Sequence, residues 1–121
     1  ILSAAGYGAG VEAMITRISP VQKSAFAAAV GRPLIDTHKA SLHVRFDLLQ
    51  PEQITLVDDV LTKGATTAAR AELLQKEYPN ATIHIFAVMR TLGFVDEIET
   101  VSGPCACRIV NCATGNPYSE P

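Results

Sequence analysis

The stretch from Ile54 to Met89 constrains the chain most. Ile54-Thr55-Leu56-Val57 is a short apolar run that stops at two carboxylates, Asp58 and Asp59, and a Thr/Gly/Ala cluster. It predicts a buried strand ending in a loop. Ala65 to Glu77 then carries Ala68, Ala69, Ala71, Leu73 and Leu74, with Thr66 or Thr67 able to cap its start and Pro79-Asn80 beyond its end, and reads as a helix. Thr82 to Met89 returns to strand through Ile83, Ile85, Phe86, Ala87 and Val88. Strand, loop, helix and strand in that order make a parallel βαβ unit, so the fold class is α/β.

The rest of the chain is less regular. Gly6-Tyr7-Gly8-Ala9-Gly10 is dense enough in glycine to be a turn or loop. Val11 to Ile18, apolar at Val11, Ala13, Met14, Ile15 and Ile18, reads as a strand, with a short helix as competitor. Ser19 to Pro33 has no firm period and suggests a long loop or a loop with one helical turn. Leu34 to Ser41 fits one or two turns of helix. Leu42, Val44, Phe46 and Leu48 alternate with His43, Arg45 and Asp47, the pattern of a half-buried strand over Leu42 to Leu49. A turn, Gln50-Pro51-Glu52-Gln53, leads into the βαβ unit.

Length and charge narrow the partners. A chain of 121 residues with 48% apolar content is long enough for one compact domain, so residues 1–121 are read as a single unit. A net charge of -2 with 18% charged residues offers no basic stripe for nucleic acid and no polybasic membrane anchor. No stretch approaches the roughly 20 apolar residues of a membrane span, and Ile1-Leu2-Ser3-Ala4 lacks the regions of a signal peptide. A cytoplasmic protein with small-molecule partners is expected. Cys105, Cys107 and Cys112 sit close together, but no His lies nearby and the spacing fits no zinc ribbon or finger. Reduced, partly buried cysteines near a C-terminal strand are the simpler reading.

The acidic pair followed by Thr62-Lys63-Gly64-Ala65-Thr66 has the chemistry of a sugar-phosphate site. The N–H groups of the loop and of the helix's first turn lack intrahelical partners, and with the positive end of the helix dipole they form an anion site. Gly64 lets backbone approach a phosphate without a Cβ in the way. The hydroxyls of Thr62, Thr66 and Thr67 can donate further hydrogen bonds, and Lys63 adds charge at the loop's edge. The carboxylates lie where a ribose would present its hydroxyls. It is distinct from a P-loop, because Gly-x-x-x-x-Gly-Lys-Ser/Thr is absent.

The run resembles the signature of type I phosphoribosyltransferases for 5-phosphoribosyl 1-pyrophosphate (PRPP): an apolar strand, two acidic residues, two aliphatics, then Thr-x-Gly-x-Thr. Thr55 stands where an aliphatic is usual, and Lys63 replaces the common small residue or Arg. The resemblance implies that Asp58 and Asp59 contact the ribose hydroxyls and that Thr62, Lys63, Gly64, Ala65, Thr66 and Thr67 grip the 5′-phosphate. Upstream, Arg17, Lys23-Ser24-Ala25, Arg32-Pro33 and His38 to Val44 resemble bacterial phosphoribosyltransferase-like proteins related to competence-type amidophosphoribosyltransferase homologues. In the family a hood closes over the reaction centre. It corresponds here to about residues 19–41, and Lys23 lies where a hood residue can reach pyrophosphate; a solvated lysine is the alternative. His38 is more often structural than catalytic at such a position.

The fold implied is a three-layer α/β/α with a mostly parallel sheet, its first strand shortened or missing. The chemistry implied is displacement of pyrophosphate from C1 of PRPP by a nitrogen base or amine. Mg²⁺ bridges pyrophosphate and ribose, with Asp58 and Asp59 as its indirect protein partners. Threonine at Thr62, where purine-salvage members carry an acid, disfavours hypoxanthine or guanine. The family's first strand and pyrophosphate loop lie upstream of the strand matching Val11 to Ile18. In a second register, Ile1-Leu2 is a stub of that strand and Ser3 to Gly10 a shortened pyrophosphate loop, with Val11 to Ile18 helical. The first register keeps the hood-like segment in place, and the unpaired sheet edges it leaves point to a homodimer. A catalytically inactive PRPP-binding regulatory module is the alternative to an enzyme.

Overall fold

A computed structural model describes residues 4–6, 8–21, 34–46, 50–91, 104, 106–111 and 117–120. Helix α2 (Ala65–Glu77) organises them, because small residues on one part of its surface and Leu74 on another accept different neighbours. Ala68 and Ala69 are buried with Ile35 and Leu42, and Leu73, Ile15 and Ile109 pack against this group. Leu74 is buried with Ile54, Tyr78 and Ala81, with Leu56, Ile83 and Val44 around them.

The bounds of α2 match the sequence reading, but its cap does not. Neither Thr66 nor Thr67 is the cap: Gly64 occupies that position at φ +83°, with no side-chain cap, and its carbonyl accepts the Ala68 N–H at 2.7 Å. A residue without Cβ takes this left-handed conformation at little cost, which places both threonines inside the first turn. At the other end the Tyr78 N–H donates to the Leu74 carbonyl at 2.7 Å. Gln75 Nε2 donates to the carbonyls of Tyr78, Pro79 and Ala81 at 3.1–3.3 Å, which ties down the turn into the next strand.

Strands β3 (Gln53–Leu61) and β4 (Thr82–Arg90) flank α2 in sequence and pair in parallel, from Gln53 opposite Thr82 to Leu61 opposite Arg90. The βαβ unit is therefore present. Two expectations change. The first strand does not stop at Val57 but runs through Asp58 and Asp59 to Leu61, because its partner continues to Arg90 and the ladder extends with it. Nor is it buried throughout: Ile54, Leu56, Asp58 and Leu61 are the less exposed positions, while Thr55, Val57, Asp59 and Val60 are exposed. Among the described residues this sheet has only two strands, so Val57, Phe86 and Val88 remain uncovered.

A second, antiparallel pair joins β1 (Ile15–Arg17) to β2 (Leu42–Val44), with the short helix α1 (Ile35–Ala40) leading into β2. The strand expected over Val11 to Ile18 shrinks to three residues, and that expected over Leu42 to Leu49 ends at Val44. Each is as long as its partner allows: single backbone bonds, Ile18 N to Ser41 O at 2.9 Å and Arg45 N to Met14 O at 2.8 Å, close the ladder at both ends. Phe46, assigned to the inward stripe, is 61% exposed beyond that end. No residue of the segment 11–18 is helical, and Ile1 to Ser3, on which the second register rests, lie outside the described residues. Residues 22–33 of the expected loop and residues 47–49 of the expected strand lie outside the described residues.

A third pair, β5 (Arg108–Asn111) and β6 (Pro117–Glu120), is antiparallel. Cys107 precedes it as a free, half-buried thiol; Cys105 and Cys112 lie outside the described residues. Among the described residues no helix is long and apolar enough to cross a membrane.

Candidate functional site

The acidic pair, the loop and the start of α2 meet at the carboxyl ends of the two parallel strands. Open α/β sheets bind ligands at that edge. The loop is short: β3 ends at Leu61, α2 begins at Ala65, and only Thr62, Lys63 and Gly64 lie between. Both its ends are pinned, since the Leu61 carbonyl accepts the Thr91 N–H at 2.9 Å and the Gly64 carbonyl accepts that of Ala68. Lys63 is exposed and Thr62 half-buried. Gly64 is buried, and a Cβ there would meet Ile109 Cδ1 at 3.0 Å, so β5 lies against one side of the loop.

Thr66 and Thr67 face different neighbours. Thr66 Oγ1 lies 3.4 Å from His38 Nε2 and 3.5 Å from Nδ1, which connects α1 to the first turn of α2. His38 is 3% exposed. Burial, together with the guanidinium groups of Arg17 and Arg70, holds its pKa below the usual imidazole value. Arg17 reaches the same corner by donating to Ser41 Oγ at 2.7 Å, and Ser41 Oγ donates to the His38 carbonyl at 2.7 Å. Thr67, in contrast, is 3% exposed and donates to Asp58 Oδ2 at 3.5 Å.

Successive residues on a strand point to opposite faces, and this separates the two carboxylates. Asp58 turns toward α2, where Oδ2 pairs with Arg70 Nη1 at 3.0 Å; the two side chains are 24% and 30% exposed. Asp58 Oδ1 accepts the N–H of Asp59 at 3.1 Å. Asp59 is exposed, and its Oδ1 accepts the Val60 N–H at 2.8 Å. Lys23 lies outside the described residues, so its distance from the loop is not part of this geometry. Among the described residues there is no group of three or more His, Cys, Asp or Glu side chains that could hold a metal ion. A cation here would need most of its oxygen ligands from its ligand partner and from water, a demand magnesium meets.

The sequence reading missed Arg70 and the His38–Thr66 contact. One signal was available for the first, because Arg70 follows Thr67 by three residues and so shares its side of the helix. Nothing local pointed to the seat of Ile109 on Gly64. A cleft of about 910 Å³ runs along β4 beside this corner, lined by Leu61, Arg90 and Arg108 among others. Its bulk follows β4 rather than the loop.

With this geometry in place, sequence comparison adds one finding. The chain is similar to a phosphoribosyltransferase. It is 40% identical over 64 residues to the adenine phosphoribosyltransferase of Nocardioides sp., a match covering 52% of this chain. The match covers 34% of that protein, so the chain spans about a third of the relative's length. No protein-family model and no solved structure matches the chain. The similarity supports a type I phosphoribosyltransferase-like family, and the mixed α/β structure with its parallel β3–β4 pair is compatible with that fold.

Proposed function

We propose that the corner formed by Asp58, Asp59 and the loop Thr62 to Thr66 binds the ribose 5-phosphate part of PRPP, in a protein that transfers the phosphoribosyl group to a nitrogen base or amine. One observation carries this reading: an acidic pair and a glycine-led turn stand at the carboxyl end of a parallel strand pair, directly before the N-terminus of a helix of 13 residues. The first-turn N–H groups of α2 and the loop amides meet the 5′-phosphate, and Lys63 adds a positive charge at its edge. The acidic end of this corner serves the ribose. Asp58 and Asp59 would hold a magnesium ion indirectly, through water and substrate oxygens, and the ion would supply charge neutralisation at the pyrophosphate.

In the reaction the bond from C1 to the pyrophosphate oxygen breaks and a bond from the acceptor nitrogen to C1 forms. A transition state with oxocarbenium character gains most from positioning and from fixed charges around the leaving group. Lys23, in the hood-like segment 19–41, is proposed to reach that leaving group. The larger architecture proposed is the three-layer α/β/α of the family, in a cytoplasmic protein.

Titration calorimetry with PRPP and Mg²⁺ tests the binding claim, and pyrophosphate release with a panel of bases tests turnover. Adenine heads the panel, because the similar protein of Nocardioides sp. is an adenine phosphoribosyltransferase. Saturable binding with release of pyrophosphate for one acceptor supports the enzyme. Binding without release for any acceptor supports the inactive regulatory module instead.

A further inference from the structure

We propose that the acidic pair divides its labour: Asp59 alone meets the ribose hydroxyls, whereas Asp58 is a positioning residue that, with Thr67 and Arg70, clamps α2 to the end of β3 and so fixes the phosphate loop between them. This rests on the phosphoribosyl reading above and sharpens it.

The oxygens of Asp58 are engaged inside the fold. Oδ2 takes the Arg70 guanidinium at 3.0 Å and the Thr67 hydroxyl at 3.5 Å, and Oδ1 takes the Asp59 N–H at 3.1 Å. At Oδ2 a ribose hydroxyl would have to displace one of two donors, leaving a partly buried charge without its partner, and at Oδ1 it would have to share the oxygen with the Asp59 N–H. Asp59 has no such obligation. It is exposed, only Oδ1 is engaged, and among the described residues nothing donates to Oδ2. Thr67 points the same way, because a side chain 3% exposed that donates to Asp58 is not on offer to a phosphate arriving from solvent.

The clamp acts on the loop because of where it grips. Asp58 lies four residues before Thr62 on β3, and Thr67 and Arg70 lie in the first two turns of α2. The three loop residues span two elements whose relative placement this contact sets. Anion-binding amides must be held to within about 0.5 Å, so loosening the clamp should weaken phosphate itself, with or without a ribose attached.

The test titrates inorganic phosphate and PRPP, each with Mg²⁺, into the full chain and its variants, with circular dichroism to verify folding. Asp59→Asn is expected to weaken PRPP on the order of tenfold while lowering phosphate affinity far less. Asp58→Asn and Arg70→Gln are each expected to weaken both ligands by the same factor, the double variant no further than either single one, and Arg70→Lys to restore part of both affinities. Should Asp58→Asn unfold the chain, Thr67→Val and Arg70→Lys carry the same comparison. Selective loss of PRPP binding in Asp58→Asn, or unchanged phosphate affinity in Arg70→Gln, overturns the clamp while leaving the phosphoribosyl reading intact. A wild-type chain that binds neither ligand overturns that reading and the clamp with it.

Discussion

Gly64 shows how a single residue sets the start of the candidate site. Its φ of +83° lies where side chains are strained, and a Cβ would also press on Ile109. Gly64→Ala is expected to lower stability by about 1–3 kcal/mol, read from the denaturation midpoint. The sequence marked this glycine as a phosphate-approach residue, but its second task as the turn that starts α2 needs the backbone angle to be seen. His38 makes a different point. Burial first, then Arg17 and Arg70, lower its pKa from the ordinary 6.5. The unfolded chain therefore takes up this proton first as pH falls through 6.5, and stability drops with it. Melting curves from roughly pH 7.5 to 5.5, above the carboxylate range, should show that slope in the wild type and lose it in His38→Gln. An equal slope in both would reject the assignment.

At the scale of elements, α2, β4 and the parallel pairing were legible because their signals are local: thirteen residues of helical pattern, then an apolar run over Thr82 to Met89. The end of β3 was not, since the acidic pair looks like a strand end until the partner's length is known. The β1–β2 pair was overextended for the same reason. Each strand's apolar stripe continues past the point where the other stops. The energetic weight of α2 rests on Leu74, 1% exposed between Ile54, Tyr78 and Ala81. Leu74→Ala is expected to cost about 2–5 kcal/mol in chemical denaturation. A change below about 0.5 kcal/mol, the range of surface substitutions, would mean that α2 does not pack as described.

At the scale of the whole molecule, the described residues form three two-stranded sheets around two apolar clusters. Among them, β3 and β4 pair only with each other, so each keeps an outer edge. Free edges favour pairing with another chain, and we retain the homodimer as a proposal. Sedimentation equilibrium should return twice the chain mass of 12.9 kDa, and a monomer at all concentrations would reject it. The acceptor was not legible in the sequence, because the segments that recognise it in the family, the hood and the stretch after Arg90, carry no firm period here. The candidate ribose-phosphate corner could be proposed from sequence, because an apolar strand, an acidic pair and a glycine turn are contiguous in the chain. The most direct test is therefore calorimetric titration of PRPP with Mg²⁺ into the wild type and into the Asp58→Asn, Asp59→Asn double variant. Saturable binding that the double variant loses while keeping its fold is the expected result. No binding at millimolar PRPP, or equal binding by both, would contradict it.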